Sequence, residues 1–227
     1  MSCRQDNLSF EHHKQVAKLD TENQKEFLQK AVDEKLSVRE LRSEIKKSKF
    51  GESPKLPDGK FNVIYADPPW QYENSGFINS AESNYPTMPI LEICNMPIKD
   101  LTTNESVLFL WATNPLLPEA LQVMDAWGFI YKTNFVWIKD KARGWAWWAK
   151  SKHESLLVGV KKNTGTPETN FDSAFFEKRE NKHSKKPEYV YEMIQTMFPS
   201  NQKGYGLELF NRGGAYSDYW DVFGNQI

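Results

Sequence analysis

From residue 61 onward the chain alternates short apolar runs with helical patterns, and this alternation limits its fold more than any other feature. Residues 61–66, 106–112, 130–138, 156–160 and 207–210 are rich in β-branched, aromatic and leucine side chains, the pattern of strands buried in a sheet. Residues 117–127 and 187–197 repeat apolar positions at helical spacing, and each carries a proline at or near its start, Pro118 and Pro187. Strands of this kind, separated by helices, predict an α/β fold with a mostly parallel sheet covered on both faces. In such sheets the ligand site lies beyond the carboxyl ends of the strands.

The stretch before this domain has another character. Residues 1–50 read as a small all-α segment of three short helices. Thr21 with Gln24, and Ser37 with Glu40, both fit the capping box, in which a hydroxyl and a Glu or Gln satisfy each other's free backbone donors. Phe27, Leu28, Ala31 and Val32 follow the first signal at helical spacing, Val38, Leu41 and Ile45 follow the second, and residues 9–19 predict a further helix packed on these. Arg39, Arg42 and Lys46 form a basic stripe beside the apolar one, read either as a solvated face or as a phosphate-contacting one. Leu8-Ser9-Phe10-Glu11-His12-His13 and Leu36-Ser37-Val38-Arg39-Glu40-Leu41-Arg42 resemble helical segments that accompany ParB-like DNA-binding proteins. Residues 51–59, with Gly51, Pro54, Pro57 and Gly59, mark a linker, and residues 60–227 form the candidate catalytic domain.

Bulk composition narrows the partners. With 29 basic and 30 acidic residues among 227, the chain is not a simple electrostatic nucleic-acid binder, so such affinity must come from local patches. The two cysteines, Cys3 and Cys94, support neither a disulfide framework nor a zinc site, and His153 and His183 are isolated, so no metal is expected. No apolar run is long enough to cross a bilayer, and the first residues lack a signal-peptide pattern. The expectation is a protein with no membrane partner that stays in the reducing compartment where it is made.

Directly after the first apolar strand stands Asp67-Pro68-Pro69-Trp70. One chemistry open to such a turn is attack by the exocyclic amine of an aromatic base, a poor nucleophile because its lone pair is conjugated into the ring. A carboxylate accepting one N–H and a backbone carbonyl accepting the other favour a pyramidal nitrogen whose lone pair can attack in line. Asp67 supplies the first acceptor. The prolines hold the backbone of the second in place, since Pro fixes φ, restrains the residue before it, and brings no competing N–H. Trp70, helped by Tyr72, is then placed to stack on a purine swung out of its helix. The same four residues also read as a structural Pro-Pro turn with a core tryptophan.

This tetrapeptide resembles the signature of the METTL-type mRNA adenosine methyltransferases and their prokaryotic and phage DNA-adenine relatives. The likeness continues through Tyr85 with Thr87 and Met88, Phe109-Leu110-Trp111, Val136-Trp137-Ile138-Lys139, Glu154 with Val158-Gly159-Val160, Lys185-Lys186-Pro187-Glu188, Leu207-Glu208-Leu209-Phe210-Asn211-Arg212 and Gly224-Asn225-Gln226. It implies a Rossmann-like fold using S-adenosylmethionine, without the G-x-G-x-x-G loop. It places Asp67 between the amine and the methionine end of the cofactor, Lys186 at the cofactor carboxylate, Glu208 and Arg212 near the ribose, Phe210 beside them, and Asn225 with Gln226 on ribose and adenine. Tyr85 joins Tyr72 on the substrate side. The Gly213-Gly214-Ala215 loop departs from the bulkier polar contact of the RNA enzymes.

Residues 139–152 interleave Lys139, Lys141, Arg143, Lys150 and Lys152 with Trp145, Trp147 and Trp148, the composition of a loop that binds a nucleic-acid strand; an apolar lid is the other reading. Lys139, Arg143 and Trp145 are its candidate substrate contacts. The short chain and its ParB-like segment resemble prokaryotic or phage enzymes, which implies DNA, with RNA as the alternative, the cytoplasm as the setting, and a homodimer or a heterodimer with a related subunit as possible assemblies. A non-catalytic nucleic-acid-binding partner and a DNA-binding regulator on the same scaffold are the rival readings. Cytosine methylation goes with Ser rather than Asp at the first motif position.

Overall fold

The computed structural model describes residues 7–49, 55–71, 87–142, 148–178, 185–211 and 213–224, apart from the side chains of Ser43, Lys46, Lys47 and Lys49. It divides into two compact units, residues 1–53 and 54–227.

The first unit holds helices α1 (Phe10–Val16), α2 (Thr21–Asp33) and α3 (Val38–Lys49). Their apolar stripes meet in a core of Val16, Phe27, Leu28, Ala31, Leu41 and Ile45. The Ser37 box forms as expected: the Ser37 N–H donates to Glu40 Oε2 at 2.7 Å and the Glu40 N–H donates to Ser37 Oγ at 3.3 Å. The Thr21 box does not. Asp20 caps α2 instead, its carboxylate accepting the N–H groups of Glu22 and Asn23 at 3.1 and 2.9 Å. Helix α2 starts one residue too early for a Thr21 cap, and the carboxylate is the stronger acceptor for the positive helix end. Helix α2 stops because Lys35 turns left-handed, φ 54, while the Leu36 N–H reaches back to the Ala31 carbonyl at 3.0 Å. That is a Schellman stop, and residues 34–37 then turn the chain into α3. Arg39 and Arg42 of the expected basic stripe are exposed; the Lys46 side chain lies outside the described residues.

The second unit runs β1 (Phe61–Ala66), α4 (Ile90–Cys94), β2 (Thr102–Ala112), α5 (Leu117–Ala126), β3 (Ile130–Ile138), β4 (His153–Val160), β5 (Ala174–Phe176), α6 (Tyr189–Met197), β6 (Gly206–Leu209) and β7 (Trp220–Phe223). The strands form one seven-stranded sheet in the order β5-β3-β4-β2-β1-β6-β7. Strand β1 is parallel to both β2 and β6, β6 to β7, and β3 to β5, whereas β4 runs antiparallel to β2 and β3. The expected mostly parallel sheet is present, in a Rossmann-like arrangement. Strands β5 and β7 and helix α4 had no counterpart in the sequence reading.

Alternation along the strands sorts the core into two faces. Ile64, Ala66, Leu108, Leu110, Leu157, Leu207 and Leu209 pack with Ile93 of α4 and with Ala120, Val123 and Met124 of α5. Val63, Tyr65, Val107, Phe109, Trp111, Phe135, Trp137, Leu156 and Val158 pack with Val190, Met193, Ile194 and Met197 of α6. Next to β1 the strand order reverses: the chain goes to β2 on one side and returns to β6 on the other. Such a switch point opens a crevice at the carboxyl ends of the two strands.

Candidate active site

Period-two geometry decides which side chains reach that edge on which face. Val63 and Tyr65 face α6, so the next position of the same parity, Asp67, emerges from the end of β1 on the α6 face. Phe135 and Trp137 carry Lys139 to the same face at the end of β3. Strand β4 runs the other way, so its beginning lies at this edge, and Leu156 and Val158 carry Glu154 there. In β6, Leu207 and Leu209 face α4 and α5, which turns Glu208 toward α6.

Two of these groups, Asp67 and Glu154, converge on Lys186, which precedes α6. Its Nζ lies 2.8 Å from Asp67 Oδ1 and 3.3 Å from Glu154 Oε2, and 5.3 Å above the Trp111 ring. Lys139 ion-pairs with Glu154 and lies over the Trp137 ring, 4.9 Å from its centre. The side chains of Lys186, Glu154 and Lys139 are between 7 and 14% exposed, so the charges interact with little screening. Burial pushes the Glu154 carboxyl up, but the two lysines outweigh it and hold it down at about 2. Below the cluster the Trp111 indole N–H donates to the Tyr65 hydroxyl at 2.8 Å, both rings being buried. On the outer side a crevice of about 330 Å3 is lined by Trp137, Lys178, Lys185, Lys186, Tyr189 and Glu192.

Glu208 forms a second centre. It accepts hydrogen bonds from the Tyr191 hydroxyl and from Asn211 Nδ2, both at 2.7 Å. Burial raises the pKa of its carboxyl; the two hydrogen bonds pull the other way, and the charge of Asp67 adds to the rise. Phe210, next in the chain but one after Glu208, adopts φ 66, a left-handed conformation that costs a non-glycine residue energy and turns the chain sharply off β6.

Several expected contacts take other places. Pro68 and Pro69 are buried in the turn, their carbonyls accepting the N–H groups of Trp70 and Met88, each at 2.8 Å. Trp70 is 5% exposed, packed in the α4/α5 core with its indole N–H on the Trp111 carbonyl at 3.1 Å. A large apolar ring whose N–H has a buried partner stiffens the turn that carries Asp67. Lys139, expected as a strand contact, is buried and ion-paired with Glu154. The Phe210 ring packs in the core, its centre 6.5 Å from that of Phe223. Tyr72, Tyr85, Arg143, Trp145, Arg212, Asn225 and Gln226 lie outside the described residues. No group of three or more potential metal ligands occurs among the described residues, and no helix there is long and apolar enough to cross a membrane.

Glu154, Tyr191 and Asn211 were given no role from sequence. A lone acid opening the otherwise apolar Leu156–Val160 run was the available signal for Glu154; a phenol inside an apolar helix gave none.

The sheet order, the reversal at β1 and the charged edge define a Rossmann-like α/β domain with a ligand crevice at its switch point. Residues 61–226 match the MT-A70 family model, and residues 1–50 match that of the ParB HTH domain. Across 194 residues the chain is 34% identical to the type II methyltransferase M.MunI of Mycoplasma sp., covering 77% of this chain and 81% of that protein. It is 26% identical over 179 residues to the N(6)-adenosine-methyltransferase catalytic subunit METTL3 of Homo sapiens and 28% identical over 178 residues to the N(6)-adenosine-methyltransferase MT-A70-like of Arabidopsis thaliana, each alignment covering 74% of this chain. Those alignments take in 28% and 24% of the two longer proteins. The chain belongs to the MT-A70 family, whose methyltransferases use S-adenosylmethionine as methyl donor.

Proposed function

We propose that this chain methylates the exocyclic amine of adenine in DNA, with Asp67 as the catalytic acceptor. The observation that carries the reading is the emergence of Asp67 at the switch point between β1 and β6, its carboxylate 2.8 Å from the Lys186 ammonium. Asp67 accepts one N–H of the amine and a carbonyl of the proline turn accepts the other; each proline carbonyl keeps a lone pair beyond its backbone bond. Held so, the amine would present its lone pair in line to a methyl donor, and Asp67 would take up the proton released from N6.

The residues present suit the methyl donor. S-adenosylmethionine, when bound, supplies an electrophilic methyl group on a cationic sulfur. Lys186 would hold its carboxylate and Glu208 its ribose hydroxyls, with Arg212, Asn225 and Gln226 completing the grip. A Cβ added at Gly213 or Gly214 would meet nothing within 4 Å, so the loop after β6 leaves open space at this edge.

Support for DNA comes from the first unit. Two helices joined by a short turn, with Arg39 and Arg42 exposed on the second, have the form of a helix-turn-helix reader, and the ParB HTH match covers the same residues. The fully exposed Trp148 and the lysines near it would contact a strand whose target base has left the stack. The cytoplasm of a prokaryotic or phage-infected cell is the corresponding setting, in line with the relative from Mycoplasma sp..

The test is nucleoside analysis of DNA and RNA incubated with S-adenosylmethionine and either wild-type protein or Asp67→Ala. Methylated deoxyadenosine from wild type and none from the variant is the expected result. Unimpaired turnover by Asp67→Ala would remove the assignment, and methylated adenosine in RNA alone would move the substrate.

A further inference from the structure

Asn211 follows the left-handed turn at Phe210 and is buried, 9% exposed. Its amide makes four hydrogen bonds. Nδ2 donates to Glu208 Oε2 at 2.7 Å and to the Gly214 carbonyl at 3.0 Å, and Oδ1 accepts the N–H groups of Gly213 and Gly214 at 2.9 and 2.7 Å. A carboxamide has two donors and two acceptor lone pairs, so this set is complete. The backbone is engaged too: the Asn211 N–H donates to the Phe223 carbonyl at 3.0 Å, and a Cβ added at Gly224 would stand 2.2 Å from the Asn211 carbonyl oxygen.

One residue therefore ties together the end of β6, the loop after it and the end of β7. Those segments carry Glu208, assigned above to the ribose hydroxyls of the methyl donor. The loop contains Gly213 and Gly214, the latter at φ 92, and two adjacent glycines hold no conformation of their own. The Asn211 amide supplies that constraint, donating to the loop's carbonyl and accepting from its N–H groups. Aspartate would lose both donors and set a second negative charge against Glu208. Glycine would release the loop.

We propose that Asn211 is a positioning residue that holds the nucleoside end of the methyl-donor site in its binding geometry, which rests on the reading of this edge as that site. It touches neither donor nor substrate and acts through Glu208 and the Gly213-Gly214 loop.

The test compares full-length wild type, Asn211→Asp and Asn211→Gly by calorimetry with S-adenosylmethionine and with 5′-methylthioadenosine, which lacks the methionine carboxylate and so isolates the nucleoside end. Loss of two or more hydrogen bonds at the loop should raise the Kd of both ligands by about tenfold or more. KM for the donor should rise in step, while kcat at saturating donor and the Kd for DNA stay close to wild type. A role confined to stability would lower the melting temperature and leave both ligand affinities intact at a temperature where the variant is folded. Wild-type affinities in either folded variant would overturn the inference; if Asn211→Asp does not fold, Asn211→Gly, which adds no charge, decides alone. Wild-type protein that binds neither ligand would instead remove the donor site itself, and this inference with it.

Discussion

The Lys186 ammonium lies 2.8 Å from Oδ1 of Asp67, joining the segment before α6 to the turn that ends β1. The same ammonium reaches Glu154, so it balances two carboxylates that stand together at one sheet edge. Replacing Lys186 with Met leaves both without that cation at a site closed to most solvent. Removal of one partner from a buried ionic cluster costs about 3 kcal/mol. Denaturant unfolding of Lys186→Met should register a loss of that order, together with loss of S-adenosylmethionine binding in the fraction that stays folded.

Glu154 predicts an acid-dependent stability. Its ordinary value is 4.5; in the fold burial works against its charge, yet Lys186 and Lys139 bring it to about 2. The folded protein thus favours the carboxylate, and the contribution is complete above pH 4.5 and lost as pH falls toward 2. A shift of this size corresponds to roughly 3 kcal/mol. Unfolding free energies of wild type and Glu154→Gln should differ by that order at pH 7, with the gap closing between pH 4.5 and pH 2. A constant gap would contradict the pairing.

Glu208 predicts the opposite sign. Burial raises its carboxyl above 4.5, so its contribution favours the fold below pH 4.5 and fades as pH rises through the raised value. Glutamine at this position can accept from Asn211 and donate to the Tyr191 hydroxyl oxygen without carrying charge. Glu208→Gln should therefore melt above wild type at pH 7 and level with it at pH 4, as followed by circular dichroism.

The left-handed Lys35 holds a conformation that costs a residue with a Cβ about 1 kcal/mol. Lys35→Gly should stabilise the first unit by a comparable amount, measured on residues 1–53 within the full chain by hydrogen exchange of α2 and α3 amides.

Trp148 is fully exposed, so truncation to alanine should leave folding and donor affinity unchanged. Affinity for single-stranded oligonucleotide should drop about tenfold if its ring stacks on a base. Equal affinity would discard Trp148 as a strand contact.

Strands were legible where burial on both faces made long apolar runs, as in 61–66 and 106–112, and helices where proline opened an apolar repeat, as in 187–197. The direction of β4 was not, because an apolar run reads alike whichever way it pairs. That direction is what brings Glu154 to the charged edge. Strand β7 escaped because its exposed Asp221 and Val222 break the buried pattern, and β5 because Ala174–Phe176 is too short to carry one. Lys139 looked like one more cation of a basic loop; its burial comes from strand parity set by Phe135 and Trp137, which only a known face assignment reveals. Asp67 was visible because proline, strand end and acid occur side by side.

Parity has a further consequence for how sequences of this kind can drift. Asp67, Lys139 and Glu154 come from separate strands and meet only because each sits an even number of residues from a side chain on the α6 face, and Glu208 reaches that face because its neighbours Leu207 and Leu209 turn to the other. Loops between the strands can lengthen or shorten freely, but deleting one residue inside β1, β3, β4 or β6 would swing that strand's charge through the sheet into hydrocarbon. Length variation among descendants should therefore be confined to the connections, with the strands themselves kept in step to the residue.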